Sequence, residues 1–163
     1  MTLDDRTDAS PLATVLRLLE AANRHDLDAL VACFSPDYVN ETPAHPLRGF
    51  TGREQVRRNW ERIFAAAPNT DLSLISHSVD GPRIWTELAM EGTLADGSPS
   101  SMAGVAIFHV DGPAGGTGRI IAAKFYLEPV ERASGNVDDA IGRLTHAPAP
   151  ATTPTPTPGG VRP

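Results

Sequence analysis

The order of hydrophobic periods between Val15 and Glu128 most constrains what this chain can fold into. Two short stretches repeat apolar residues at helical spacing. A brief alternating strand follows, then a third helical stretch, then four long alternating runs. Leu12, Val15, Leu16 and Leu19 mark the buried face of the first helix, behind Ser10–Pro11 as N-cap and first-turn pair. Asp26 caps the second, whose face is Leu27, Leu30, Val31 and Phe34. Ser35–Pro36–Asp37 reads as a turn, Tyr38 to Thr42 as a short strand, and Pro43 to Phe50 as a loop. Thr51–Gly52–Arg53–Glu54 has the form of a capping box. It opens a third helix with Val56, Trp60, Ile63, Phe64 and Ala67 on one face, stopped by Pro68. Strands are expected at 71–80, 82–94, 100–111 and 118–129, joined by turns at Asp80–Gly81–Pro82, Asp96–Gly97 and Asp111–Gly112. The fold class is therefore α+β: a curved antiparallel sheet wrapped round three helices of the N-terminal half, a cone-shaped barrel with room for a small apolar guest.

Residues 10–131 hold this domain, behind a flexible leader at 1–9. Residues 132–144 include a short helical stretch from Asn136 to Leu144. Six of the 15 prolines fall in 145–163, a Pro/Thr-rich tail too poor in apolar residues to fold. The 14 basic and 20 acidic residues give a net charge of -6, which speaks against nucleic acid. Arg53, Arg57, Arg58 and Arg62 read as the wet face of the third helix. A single cysteine, Cys33, excludes a disulfide framework and a cysteine zinc site. The five histidines lack metal-ligand spacing, so neither metal nor cofactor is expected. The acidic opening MTLDDRTDAS is not a signal peptide, and no apolar run approaches a membrane span. A cytoplasmic protein is the expectation.

Strand parity sorts the side chains. Ile84, Thr86, Leu88 and Met90 share one face, as do Met102, Gly104, Ala106 and Phe108, and Ile121, Ala123, Phe125 and Leu127. These sets are uncharged and are expected to face the helices. The opposite face mixes charge with Trp85, Val105, Ile107 and Tyr126, which suits pairing with a second copy of the chain. The strand from Ile120 is read with Ile120 and Glu128 on that outer face. Trp60, Phe64, Leu88, Met90, Met102, Phe108 and Phe125 are the expected cavity walls. Tyr38, Asn40 and Thr42 share one parity and are expected to look in at its mouth, with His45 in the loop beyond. An amide and a phenol suit a carbonyl-bearing ligand, and a histidine titrates where proton transfer needs it.

The run Asn23–Arg24–His25–Asp26–Leu27–Asp28–Ala29–Leu30–Val31 through Phe34–Ser35–Pro36–Asp37 resembles SnoaL-like proteins of the nuclear transport factor 2-like superfamily. So do Leu47–Arg48–Gly49, Gly52–Arg53–Glu54, Gly118–Arg119–Ile120 and Phe125–Tyr126. The resemblance covers about residues 12–130 and implies a cone with a deep apolar pocket, commonly dimeric through the outer sheet face. Its members include polyketide cyclases, ketosteroid isomerases, limonene-epoxide hydrolases and dehydratases. The isomerases' carboxylate base, just before a proline at the end of the first strand, is matched here by Thr42, with Glu41 beside it. Leu18 and Ala106 stand where their oxyanion-hole Tyr and Asp would be, and no inward Asp–Arg–Asp trio of the hydrolase kind is present. Glu128 holds the position of the aspartate that closes the last strand in many relatives. Two readings follow. One is a protein binding a small, largely apolar molecule and acting as a cofactor-free cyclase, isomerase or dehydratase, with Tyr38, Asn40 and His45 as polar set. The other is a noncatalytic dimeric ligand-binding or accessory module, which the missing inward carboxylate favours.

Overall fold

The structure, a computed structural model, describes residues 9–112, 116–132 and 135–145. The chain divides into two compact units, residues 1–130 and 131–163.

In the first unit, α1 (Pro11–Asn23) starts at Ser10, whose hydroxyl accepts from the Ala13 N–H at 3.2 Å. Its buried face is Thr14, Val15, Leu18, Leu19, Ala21 and Ala22. Leu16, expected on that face, is instead 49% exposed. Thr14 points inward because its hydroxyl donates to the Gly118 carbonyl at 3.0 Å, and two residues on, a turn of about 200°, faces solvent. Helix α2 (Leu27–Ala32) is capped by Asp26, which accepts from the Ala29 N–H at 3.0 Å.

Strand β1 (Phe34–Glu41) is longer than its sequence suggests. Ser35–Pro36–Asp37 runs inside it rather than turning. The segment coincides with a register break between Phe34 and Val39, and a proline, having no N–H, is tolerated where the ladder is interrupted. Part of the expected loop forms β2 (Phe50–Thr51), antiparallel to β1 with Val39 opposite Thr51. That pairing overturns the capping box: Thr51 belongs to a strand, and Gly52 is the N-cap of α3 (Arg53–Ala66), with no side-chain hydrogen bond. The Gly52 N–H donates instead to the Tyr38 carbonyl at 2.7 Å, so the start of α3 is tied to β1.

Strands β3 (Asp71–Asp80), β4 (Arg83–Thr93), β5 (Pro99–Val110) and β6 (Ile120–Pro129) form a meander. The six-stranded sheet has the order β2-β1-β6-β5-β4-β3. All neighbours are antiparallel except β1 and β6, which run parallel. The sheet curves round the helices without closing, and the core of Val15, Leu30, Tyr38, Ile84, Phe108 and Val110 lies inside the curve. Ile120 corrects the parity reading. It is fully buried, because a register shift pairs Val110 with Ile120 but His109 with Ala122, and the extra residue reverses the faces.

At Gly104, β5 passes close to β6. The glycine holds φ +147°, and a Cβ built there would lie 2.2 Å from the Tyr126 carbonyl oxygen and 3.0 Å from the Leu127 Cα. Only glycine lets the two backbones pass at that distance.

In the second unit, α4 (Val137–Thr145) opens on a reciprocal cap: Asn136 accepts from the Asp139 N–H, and Asp139 from the Asn136 N–H, each at 3.0 Å. The expected leader up to Asp8 and the tail after Thr145 lie outside the described residues. Among the described residues no helix is long and apolar enough to cross a membrane.

Candidate functional site

The curve of the sheet leaves a partly open cavity of about 320 Å³ against α1 and α3. Leu18 and Leu19 of α1 and Val56, Asn59, Trp60 and Ile63 of α3 line its helical side. Leu72, Leu88, Met90, Met102, Phe108, Phe125 and Leu127 line the sheet side. Alternation brings them together: Met90 pairs with Met102, and Leu88 with Gly104, which pairs in turn with Leu127. Phe108 and Phe125 meet edge to face with centroids 5.7 Å apart. Such pairing fixes ring orientation as well as excluding water.

Strand β1 and the residue that follows it supply the polar end. Tyr38, Asn40 and Thr42, two residues apart, all reach the cavity wall. The Tyr38 hydroxyl donates to the Asn40 Oδ1 at 3.0 Å, and the Asn40 Nδ2 donates to the Thr42 Oγ1 at 3.5 Å. The first bond is good, while the second is at the limit of useful length. Tyr38 is 1% exposed, and burial pushes its hydroxyl above the ordinary tyrosine range, so at neutral pH it is a neutral donor. The Asn40 oxygen is thus engaged, and the Nδ2 hydrogen not directed at Thr42 is a donor on the cavity wall. Among the described residues every buried side-chain nitrogen and oxygen has a hydrogen-bond partner.

Of the expected wall residues, Trp60, Leu88, Met90, Met102, Phe108 and Phe125 line the cavity. Phe64 does not. It stacks on His25 at 4.5 Å and leans on Trp60 at 5.3 Å, so it supports the wall from behind. Residues 60 and 64 are four apart, one full turn plus about 40°, so they adjoin on one face of α3, and the sequence period alone does not separate the two. His45 also lies off the wall: its Nε2 is 2.8 Å from the Glu128 Oε1, at the end of β6. Among the wall residues that the sequence reading did not name, two are polar, Asn59 and Arg48. Asn59 shares the Val56–Trp60–Ile63 face of α3, a legible signal. Arg48 ends a single 3-10 turn (Pro46–Arg48), and no periodicity marks so short an element.

Arg48 is the one charged residue of this wall; no Asp, Glu, His or Cys contributes to it among the described residues. The Leu18 and Ala106 positions are apolar and buried. Nor do three or more His, Cys, Asp or Glu cluster as metal ligands anywhere among the described residues. The wall can therefore desolvate a guest and donate hydrogen bonds at its β1 end, and it holds no carboxylate or imidazole base.

A second groove lies on the outer sheet face, lined by Arg83, Trp85, Ile107, Lys124 and Tyr126 among others. Trp85 and Tyr126 are exposed, and Val105 and Ile107 are half-buried. Lys124 pairs across it with Glu41 at 3.3 Å.

Comparison with known proteins agrees with the geometry. The profile of the SnoaL-like domain matches residues 15–121. No curated protein matches the chain. Among solved structures, RV0760c from Mycobacterium tuberculosis, in complex with estradiol-17beta-hemisuccinate, is similar at TM-score 0.60 and 20% identity, over 78% of this chain and 95% of that one. An LEH-like epoxide hydrolase from Mycobacterium tuberculosis is similar at TM-score 0.58 and 19% identity, over 82% and 87%. AclR, a putative hydroxylase from Streptomyces galilaeus, is similar at TM-score 0.59 and 18% identity, over 85% and 86%. At these identities the likeness is one of fold.

Proposed function

The chain belongs to the SnoaL-like domain family, and from that premise we propose that it binds a small, largely apolar, carbonyl-bearing molecule in the cone cavity. The observation that carries this reading is the wall itself: aliphatic and aromatic side chains with one cluster of donors at the β1 end. Trp60, Phe108 and Phe125 suit a ring system, and the Asn40 amide suits its carbonyl. The similar fold of RV0760c, in complex with a steroid ester, supports a cyclic guest. The absence of a carboxylate or imidazole from the wall favours binding without acid/base turnover. Cofactor-free cyclisation, isomerisation or dehydration is the competing reading. It rests on the His45–Glu128 pair, which would have to meet a substrate projecting beyond the wall.

A thermal-shift series with 2-acetonaphthone and 2-ethylnaphthalene tests the binding reading. Both are expected to raise the melting temperature saturably, because a ligand that binds only the folded state stabilises it. Asn40→Ala is expected to weaken the ketone about fivefold, the effect of about 1 kcal/mol for one hydrogen bond, and to leave the hydrocarbon unchanged. No shift with either compound refutes the pocket reading. Turnover that falls with Glu128→Gln at unchanged affinity would instead favour the enzyme.

The outer sheet face is proposed as the surface on which two copies pair, through Trp85, Val105, Ile107 and Tyr126. A sedimentation mass twice that of one chain supports it, and a mass of one chain refutes it.

A further inference from the structure

Resting on the pocket reading, we propose that the preferred guest is an amphipathic monocarboxylate, its apolar body in the cone and its carboxylate on Arg48. Arg48 lines the cavity yet is itself exposed, which places it at the rim. Among the described residues its guanidinium has no ion-pair or hydrogen-bond partner. Arg24 is engaged with Glu20 at 3.1 Å and Arg57 with Asp28 at 2.8 Å, while Arg53, Arg62, Arg83 and Arg119 are as free as Arg48; what sets Arg48 apart is its place on the cavity wall.

The backbone that carries Arg48 is fixed. The Arg48 N–H donates to the His45 carbonyl at 2.9 Å, the His45 N–H to the Thr42 carbonyl at 2.8 Å, and the Gly49 N–H to the Pro46 carbonyl at 3.2 Å. The His45 ring is held to Glu128 at 2.8 Å, which ties this turn to the end of β6. Gly49 packs so closely that a Cβ there would lie 3.2 Å from the Asn40 carbonyl oxygen. Arg48 is therefore presented beside the donor end of the cavity, where Asn40 and Thr42 also lie. A guanidinium fork matches the two oxygens of a carboxylate, and neighbouring amide and hydroxyl donors suit the same acceptor. The charge of the head follows from arithmetic at the wall. One cation neutralises one negative charge, and a dianion would leave the second charge uncompensated on a chain whose net charge is -6.

The test is calorimetric titration at neutral pH with two acid–ester pairs, 2-naphthylacetate with its methyl ester and decanoate with methyl decanoate. For at least one skeleton the acid is expected to bind about tenfold tighter than the ester, with affinity that falls as salt rises. Arg48→Met is expected to erase that preference by bringing the acid's affinity down to the ester's, with an unchanged far-ultraviolet circular dichroism spectrum showing that the variant is folded. Arg48→Lys is expected to keep part of it, since the charge remains and the fork is lost. Esters that bind as tightly as acids, or a preference that survives Arg48→Met, overturn the carboxylate assignment while the pocket reading stands. No binding of either skeleton in either form overturns both.

Discussion

Of the two strand glycines Gly92 and Gly104, Gly104 leaves the less room for an added methyl, so Gly104→Ala is a sharp test of the sheet. The new Cβ would lie 2.2 Å from the Tyr126 carbonyl oxygen and 3.0 Å from the Tyr126 carbonyl carbon, both backbone atoms with no rotamer to yield. Restoring an ordinary contact requires β5 and β6 to part by roughly 1 Å in a close-packed sheet. Overpacking of this kind costs about 1–3 kcal/mol, and holding a residue other than glycine at φ +147° adds about 1–3 kcal/mol. The expected loss is about 2–6 kcal/mol, or roughly 5–25 °C in melting temperature for a domain of this size. Gly97→Ala separates the two causes. Gly97 also has positive φ, +81°, but a Cβ there meets nothing within 4 Å. It should lose only the conformational part, about 1 kcal/mol. Urea unfolding followed by far-ultraviolet circular dichroism measures both, with equal m-values confirming that the same surface unfolds. If Gly104→Ala loses no more than Gly97→Ala, the close approach of β5 and β6 is wrong, and so is the placement of the cavity wall on either side of it. Gly104 sits between Met102 and Ala106 on the inward parity, so ligand affinity should fall along with stability.

Two further outcomes are expected. Ser10→Ala should cost about 1 kcal/mol in urea unfolding, because it removes the cap that holds the Ala13 N–H, whereas Thr51→Ala should stay within about 0.5 kcal/mol, since Thr51 caps nothing; the reverse ranking would restore the capping box. Tyr38 sets an alkaline limit. Its folded-state proton affinity is raised by burial, so the unfolded chain loses this proton first, and the associated stability is whole below about pH 10 and declines as pH rises beyond it. Unfolding free energies of wild type and Tyr38→Phe should therefore run parallel below that pH and converge above it; parallel curves throughout would show that Tyr38 is not buried as its surroundings indicate.

The sequence was most legible where side chains repeat. The helical periods of α1 and α3 and the alternation of β4 and β5 located these elements, and the shared parity of Tyr38, Asn40 and Thr42 matches their common place on the cavity wall. It was least legible where one residue breaks a period. The extra residue in β6 turned Ile120 from the outer face to the core, and nothing local to Ile120–Ile121 announces it. Ser35–Pro36–Asp37 has turn chemistry, yet pairing on both sides holds it in β1. Thr51–Gly52–Arg53–Glu54 has the spacing of a cap, yet β2 claims the threonine.

The candidate site divides along the same line. The apolar walls are a property of the chain, because burial of alternate side chains follows from local geometry and the hydrophobic effect, whatever the neighbours. Which polar groups join those walls is not. Phe64 left the cavity because His25 and Trp60 offered it a better-packed seat, and His45 left it because Glu128, far along the chain, stood within hydrogen-bond reach. Arg48 entered it because a turn fixed by backbone hydrogen bonds brought it to the rim. A cone and its apolar lining are written in the order and period of the side chains. The charge at its mouth is set by folding, since a side chain without periodic neighbours takes its position from contacts that do not exist until the chain has folded.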